Sequence, residues 1–299
     1  MADIEEIRAD LSDFMKQSGC TQKQVAEESG LSVATVSRFM KGNYNGDSQK
    51  IADTLEKYLL IAKERLNAYS TDVFYPELEN TRTVTYAAHY AHAKCEMVLI
   101  RGDSGAGKTT ALKLYAEQNA GIIFVTANAS TKSATSILSM IAEAAGKRAN
   151  GSSKLLMKTL VDCLKDTRRL IIIDEADHLT LNALQAVRNL NDEAHVGIVL
   201  AGNNKLYQQM VTGTRGYEFD QIRTRIFLKP CVMNDYSIDE ISHIFPECDE
   251  KVQAVLLRTA TEESLREAKK LYNFCMEYTK SHHIELNEKI VLKLMKAVG

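Results

Sequence analysis

Two kinds of hydrophobic spacing follow one another along the chain. In residues 4–18, Ile4, Ile7, Leu11, Phe14 and Met15 recur at three- and four-residue intervals, which predicts an amphipathic helix closed by Gly19. Thr21 and Gln24 have the spacing of a capping box, so a second helix is expected over residues 22–29. Gly30 suits a left-handed turn, Leu31 is expected to be buried, and Ser32 caps a third helix over 33–40 that Gly42 ends. After the turn at Asn43–Gly46, residues 48–69 read as one long helix. Residues 70–80 hold a proline and break the helical period, so a helical domain is set at 1–70 and a linker at 71–80.

Beyond the linker, helices alternate with runs that are apolar at every position. A helix over 83–93 leads into Met97–Ile100. Helices then follow at 108–119, 134–145 and 155–165, and apolar runs at 122–126, 170–173 and 196–201. Such continuous runs belong to strands buried on both faces, as in a parallel sheet. Residues 231–299 return to helical spacing near 237–245, 249–260, 262–280 and 287–297, with Asp249 and Asn287 as caps. Their expected core is Ile238, Ile241, Val255, Leu256, Leu265, Leu271, Phe274, Ile290, Leu292 and Leu294. The expected fold class is therefore α/β: a parallel-sheet core at 81–230, between a small all-α helix-turn-helix domain and a helical lid at 231–299.

Composition narrows this picture. The 299 residues allow about two domains. No apolar run is long enough to span a bilayer, and the acidic, amphipathic N-terminus is no secretory signal. The six cysteines are scattered without C-x-x-C spacing, which argues against a disulfide framework or zinc site and for a reducing cytoplasm. The net charge of −2 conceals a gradient. Residues 81–230 carry 19 Lys+Arg against 13 Asp+Glu, whereas the flanks are acidic, so the middle could meet a nucleic acid.

The chemistry centres on Gly102-Asp103-Ser104-Gly105-Ala106-Gly107-Lys108-Thr109-Thr110, which fits the G-x-x-x-x-G-K-[ST] phosphate loop between a strand and a helix. Its glycines let backbone amides close around a polyphosphate, and the following helix aims its positive end at the anion. Lys108 would reach the β- and γ-phosphates of ATP, and Thr109 would ligate Mg²⁺. Leu170-Ile171-Ile172-Ile173 ends in Asp174-Glu175, an acidic pair at the carboxyl end of a buried strand, where such sheets bind ligands. Asp174 would hold Mg²⁺ through water, and Glu175 would polarise the attacking water. Asn203 follows the next buried strand, where a polar side chain can touch both the γ-phosphate and that water; taken alone, Gly202-Asn203 reads as a simple turn. Tyr207 stands where a guanine-reading N-K-x-D motif needs Asp, which argues against a GTPase. Residues 174–177 spell Asp-Glu-Ala-Asp, a helicase signature. The chain beyond 230 is too short for the second domain such enzymes need, so the match is taken as coincidental.

The order helix, glycine turn, Ser-capped helix resembles the helix-turn-helix of phage repressors, whose third helix enters the major groove. The side chains exposed there would be Ser32, Thr35, Ser37 and Arg38. A small helical bundle for protein contacts is the other reading.

Assembled, GDSGAGKTT, LIIIDEADHL, VGIVLAGN, the segment Gln221–Ile226 and the helical tail resemble the AAA+ ATPases. With the helix-turn-helix in front, the chain is similar over nearly its whole length to the MuB family, the target-capture ATPases of phage Mu and Mu-like prophages. That resemblance implies ATP bound between neighbouring subunits, a helical filament on double-stranded DNA with little sequence preference, and delivery of that DNA to a DDE transposase that stimulates hydrolysis. It also implies a host-cell cytoplasmic location and no membrane partner. By motif position Asn203 matches the first sensor, Arg225 (with Arg223 close behind) the arginine finger, and Arg266 the second sensor, although the glycine usual near that sensor is missing. For DNA phosphates the candidates are Lys132 with Ser130 and Thr131, and Lys147, Arg148 and Lys154 in the next turn. A helicase or initiator loader, or a transcription regulator with an ATP-switched oligomeric state, are the alternatives.

Overall fold

The computed structural model describes residues 3–69, 75–148, 150–211 and 216–298. It divides into two compact units, 1–73 and 74–299.

The first unit is four helices: α1 (Ile4–Ser18), α2 (Gln22–Ser29), α3 (Val33–Met40) and α4 (Ser48–Tyr69). Each boundary has a local cause. Gly19 and Gly30 take left-handed φ of 69° and 72°, Thr21 and Gln24 form a reciprocal capping box, and the Ser32 hydroxyl accepts from the Thr35 amide. Leu11, Val25, Ala26, Val36, Phe39, Ala52 and Leu55 make the core, where the small Ala26 lets α2 and α3 cross closely. Leu31, expected inside, is only half-buried.

The second unit opens on residues 75–78, which fall in the expected linker; residues 71–74 lie outside the described residues. This stretch is anchored to the C-terminal helices, not free. The Tyr75 hydroxyl donates to the Ile244 carbonyl at 3.1 Å, and Leu78 is buried among lid side chains. α5 (Glu79–Lys94) begins earlier than the apolar spacing alone implies, its first amide donating to the Glu240 carboxylate at 2.9 Å.

There follow β1 (Met97–Gly102), α6 (Lys108–Gln118), β2 (Ile122–Thr126), α7 (Ala134–Ala144), α8 (Ser153–Leu164), β3 (Leu170–Asp174), a 3-10 turn at Ala176–His178, α9 (Leu181–Ala194), β4 (Gly197–Gly202), α10 (Asn204–Val211), a 3-10 turn at Gly216–Phe219, α11 (Asp220–Arg225), β5 (Ile226–Leu228) and β6 (Cys231–Val232). The strands form one parallel sheet in the order β2-β3-β4-β1-β5, and β6 also pairs with β1. Strand side chains alternate between two cores. Met97, Leu99, Ile171, Ile173, Ile198 and Leu200 pack under α7, α8 and α9, while Val98, Ile100, Leu170, Ile172, Val199 and Ala201 pack under α5 and α6. Burial on both faces is the reason these segments read as unbroken apolar runs.

The lid is α12 (Ile238–Ile244), α13 (Glu250–Glu262), α14 (Leu265–His282) and α15 (Glu288–Val298). Asp249 caps α13, and the Asn287 carbonyl accepts from the Ile290 amide. Two expected core residues face outward. Ile238 is 46% exposed, because α12 buries Ile241, Ile244 and the following Phe245 instead. Phe274 is 42% exposed, because the buried stripe of α14 runs Leu271–Cys275–Thr279 and Phe274 falls about 100° off it. Val255, Ile290 and Leu292 are half-buried, and α15 buries Val291 and Leu294.

Candidate active site

β1 carries the chain to Gly102, where no side chain fits: a Cβ would lie 1.7 Å from the Val232 carbonyl oxygen of β6. Gly105 and Gly107 then take left-handed φ of 77° and 90°. α6 starts on Gly107 without a side-chain cap, whereas α7, α8, α9, α13 and α14 begin on Ser, Thr or Asp caps. Its first amides therefore face the loop, ready for an anion. The Lys108 ammonium reaches back over the same loop, donating to the carbonyls of Gly102 at 3.1 Å and Asp103 at 2.6 Å. Burial pushes its pKa down; the nearby carboxylates of Glu175, Asp174, Asp103 and Asp177 oppose the shift. Thr110 is exposed on the first turn of α6, and Ala106 is buried beneath the loop.

Asp174 is 3% exposed at the end of β3 and accepts from the Thr109 hydroxyl at 2.7 Å. A hydroxyl and a buried carboxylate converging beside a phosphate loop are the donor set a hard divalent cation takes. Glu175, next in line, is exposed and held at φ +53°, a conformation that costs a non-glycine residue energy and recurs at functional positions. Asn203 stands at the end of the neighbouring strand β4. Its side-chain amide donates to Asp177 at 2.7 Å, and its backbone amide donates to the other Asp177 oxygen at 3.1 Å. The first and last acids of the Asp-Glu-Ala-Asp run thus each have a partner, Thr109 and Asn203. No sequence signal pairs Asp177 with a residue 26 positions on.

The lid comes down on the loop. A Cβ on Gly105 would lie 2.6 Å from Ser264 Cβ and 3.5 Å from Arg266 Cβ, so Arg266 stands beside the phosphate loop. Asn234 ties the two together: its side chain donates to the carbonyls of Ser104 (3.3 Å) and Glu263 (2.9 Å), and its backbone amide to Asp103 Oδ2 (3.0 Å). The Asp103 side chain is therefore engaged in the lid connection. Asn234 is a residue that sequence reasoning missed, because it matches no motif.

The two candidate arginines lie elsewhere. Arg225 ends α11 and is 57% exposed, its Nε 3.2 Å from Asp192 of α9; Arg223 pairs with Asp220 one turn back at 2.8 Å. Ile226, the next residue, is in register with Met97 at the start of β1, while the phosphate loop leaves the other end after Gly102. Five residue steps along a strand are about 17 Å.

The candidate DNA contacts do not form one cluster. Ser130, Thr131 and Lys132 sit in a turn braced by Asn128, whose Oδ1 accepts from the Ser130 amide at 2.8 Å; the Lys132 carbonyl accepts from the Thr180 amide at 3.0 Å. Lys147 and Arg148 lie past the far end of α7, an 11-residue helix about 16 Å long, and Lys154 in the first turn of α8. All four cations are exposed, and among the described residues none has an ion-pair partner. On α3, Ser32 and Arg38 are exposed, but Thr35 and Ser37 are half-buried. They flank the buried Val36, and the Thr35 hydroxyl is 2.9 Å from that of Ser32.

Residues 91–210 match the AAA domain family and residues 11–60 a helix-turn-helix family. The chain is 33% identical over 227 residues to the ATP-dependent target DNA activator B of Escherichia phage Mu, covering 75% of this chain and 72% of that protein. It is 32% identical over 226 residues to the Mu-like prophage FluMu DNA transposition protein B of Haemophilus influenzae, covering 72% and 76%. Among solved structures, Cdc6p from Pyrobaculum aerophilum has a similar fold, with a TM-score of 0.52 at 14% identity over 72% of this chain and 66% of that one. No helix among the described residues is long and apolar enough to cross a membrane.

Proposed function

We propose a function from one premise: the chain belongs to the family of the phage Mu target DNA activator B. It is an ATPase that assembles with its own copies on double-stranded DNA, with little regard to sequence, and delivers that DNA to a DDE transposase. The observation that carries the assembly is the length of β1. Arg225 and the phosphate loop lie at opposite ends of it, so the arginine of one subunit serves a neighbour's nucleotide rather than its own.

The roles follow from placement. The amides of residues 102–107 and Lys108 hold the β- and γ-phosphates of ATP, and Arg266 meets them from the lid. Mg²⁺, held by Thr109 and Asp174, would supply charge neutralisation on the phosphates. Glu175 accepts a hydrogen bond from the attacking water and aligns it. Asn203 touches both that water and the γ-phosphate. Arg225 of the adjoining subunit, with Arg223 beside it, stabilises charge on the phosphoryl group in transit, so turnover depends on assembly. Lys132 with Ser130 and Thr131, and Lys147, Arg148 and Lys154, bind DNA phosphates, with Ser32, Thr35, Ser37 and Arg38 of α3 as a second contact. Phosphate contacts carry no base code, which accounts for weak sequence preference.

Electron microscopy of the protein on random duplex DNA tests the reading. Filaments with ATP that disperse with ADP support it. A discrete footprint on one operator points instead to a regulator built on the helix-turn-helix. A monomer that cleaves ATP at full speed on long duplex refutes it.

A further inference from the structure

We propose that Asp177 is a positioning residue that fixes the side-chain orientation of Asn203; the inference rests on the ATPase reading above. Three hydrogen bonds define the arrangement. One Asp177 oxygen accepts from the Asn203 backbone amide at 3.1 Å, and the other from Asn203 Nδ2 at 2.7 Å. The Asn203 Oδ1 accepts from the Lys205 backbone amide at 2.8 Å. An asparagine side chain has two N–H donors and one carbonyl. Here one donor is committed and the carbonyl is engaged, so a single Nδ2–H remains for an outside acceptor. Turning the amide over would set its oxygen against a carboxylate and its NH₂ against an N–H, so the flipped state is excluded on both sides.

Two features put the carboxylate where it is needed. The left-handed Glu175 (φ +53°) turns the chain sharply off β3 into the 3-10 turn that carries Asp177. Gly202 clears the way, since a Cβ there would stand 2.6 Å from Asp177 Oδ1. The first acid and the last acid of Asp174-Glu175-Ala176-Asp177 thus do different work: Asp174 answers Thr109 across the sheet, and Asp177 answers Asn203. Without Asp177 only the Lys205 amide holds the sensor side chain, so it leaves more often the one orientation that offers a donor to a phosphoryl oxygen.

The test is steady-state ATP hydrolysis by the full chain with saturating duplex DNA. Asp177→Ala is expected to lower kcat by about 10- to 100-fold, the scale of a misplaced catalytic group, while KM for ATP stays within about threefold. Asp177→Asn keeps one acceptor and the same shape, and should fall between wild type and Asp177→Ala. Gly202→Ala, whose methyl displaces the carboxylate from the other side, should reproduce the loss with Asp177 intact. The decisive variant is Asn203→Ala with Asp177→Ala: if Asp177 acts through Asn203, the pair turns over within about twofold of Asn203→Ala alone. Additive losses in the pair, wild-type turnover in Asp177→Ala, or failure of Asp177→Asn to bind a non-hydrolysable ATP analogue would each overturn the assignment. A wild-type protein without ATP turnover is a separate outcome: it removes the ATPase reading itself, and this inference with it, before any variant is made.

Discussion

The two ends of β1 are built on opposite plans. At the carboxyl end several functional side chains are held in place by hydrogen bonds. Lys108 bonds the loop, Thr109 bonds Asp174, Asp177 locks Asn203, and Asn234 laces the loop to the lid. At the amino end Arg225 is more than half exposed and has one carboxylate, Asp192, for company. A partly exposed ion pair of this kind contributes little to stability, about 1 kcal/mol. The carboxyl end is preorganised to receive a ligand, whereas the amino end holds a charge at the surface that can be given up. Under the proposed function, a site divided this way would make binding a property of one subunit and catalysis a property of two.

The largest expected effect cuts across that division. Arg225→Ala should keep ATP affinity yet lose about 10³-fold or more in DNA-stimulated kcat, the scale of an arginine finger. Mixing it with Lys108→Ala sharpens the point, because an intact loop from one variant and an intact arginine from the other should restore part of the turnover that neither shows alone. No restoration would place both residues in one subunit's site. Glu175→Gln should bind ATP and assemble, but hydrolyse it about 10²- to 10⁴-fold more slowly, as loss of a general base predicts. Asn234→Ala should act on binding instead, raising KM for ATP about tenfold while kcat changes little; a kcat effect alone would dissolve the contrast between loop and lid. Asp192→Ala is the smallest. It removes two partly exposed ion pairs, to Arg225 at 3.2 Å and Arg188 at 3.9 Å, so thermal unfolding should move by less than the equivalent of about 2 kcal/mol.

What the sequence disclosed and what it hid divide along physical lines. Elements governed by neighbours in the chain were legible: the Thr21–Gln24 capping box, the glycine turns at 19 and 30, the Asp249 cap, and strands such as Leu170–Asp174 whose double burial leaves an unbroken apolar run. β5 and β6 were not, because three and two residues carry no periodicity, and they become strands only by lying along β1. The phosphate loop and the acidic strand end could be read because their residue order is the chemistry. Asp177 and Asn234 could not, since each works through a partner distant in sequence. Phe274 misled for a subtler reason: it lies three residues from Leu271, a helical spacing, but the i+4 residue Cys275 rather than the larger ring takes the inner stripe.

The contact between Gly105 and Ser264 leaves no room for even a methyl group on the loop. The start of α14 is thus a wall of the cradle, and a guest settling into the loop should be felt there first, as slower hydrogen exchange at the Leu265 and Arg266 amides.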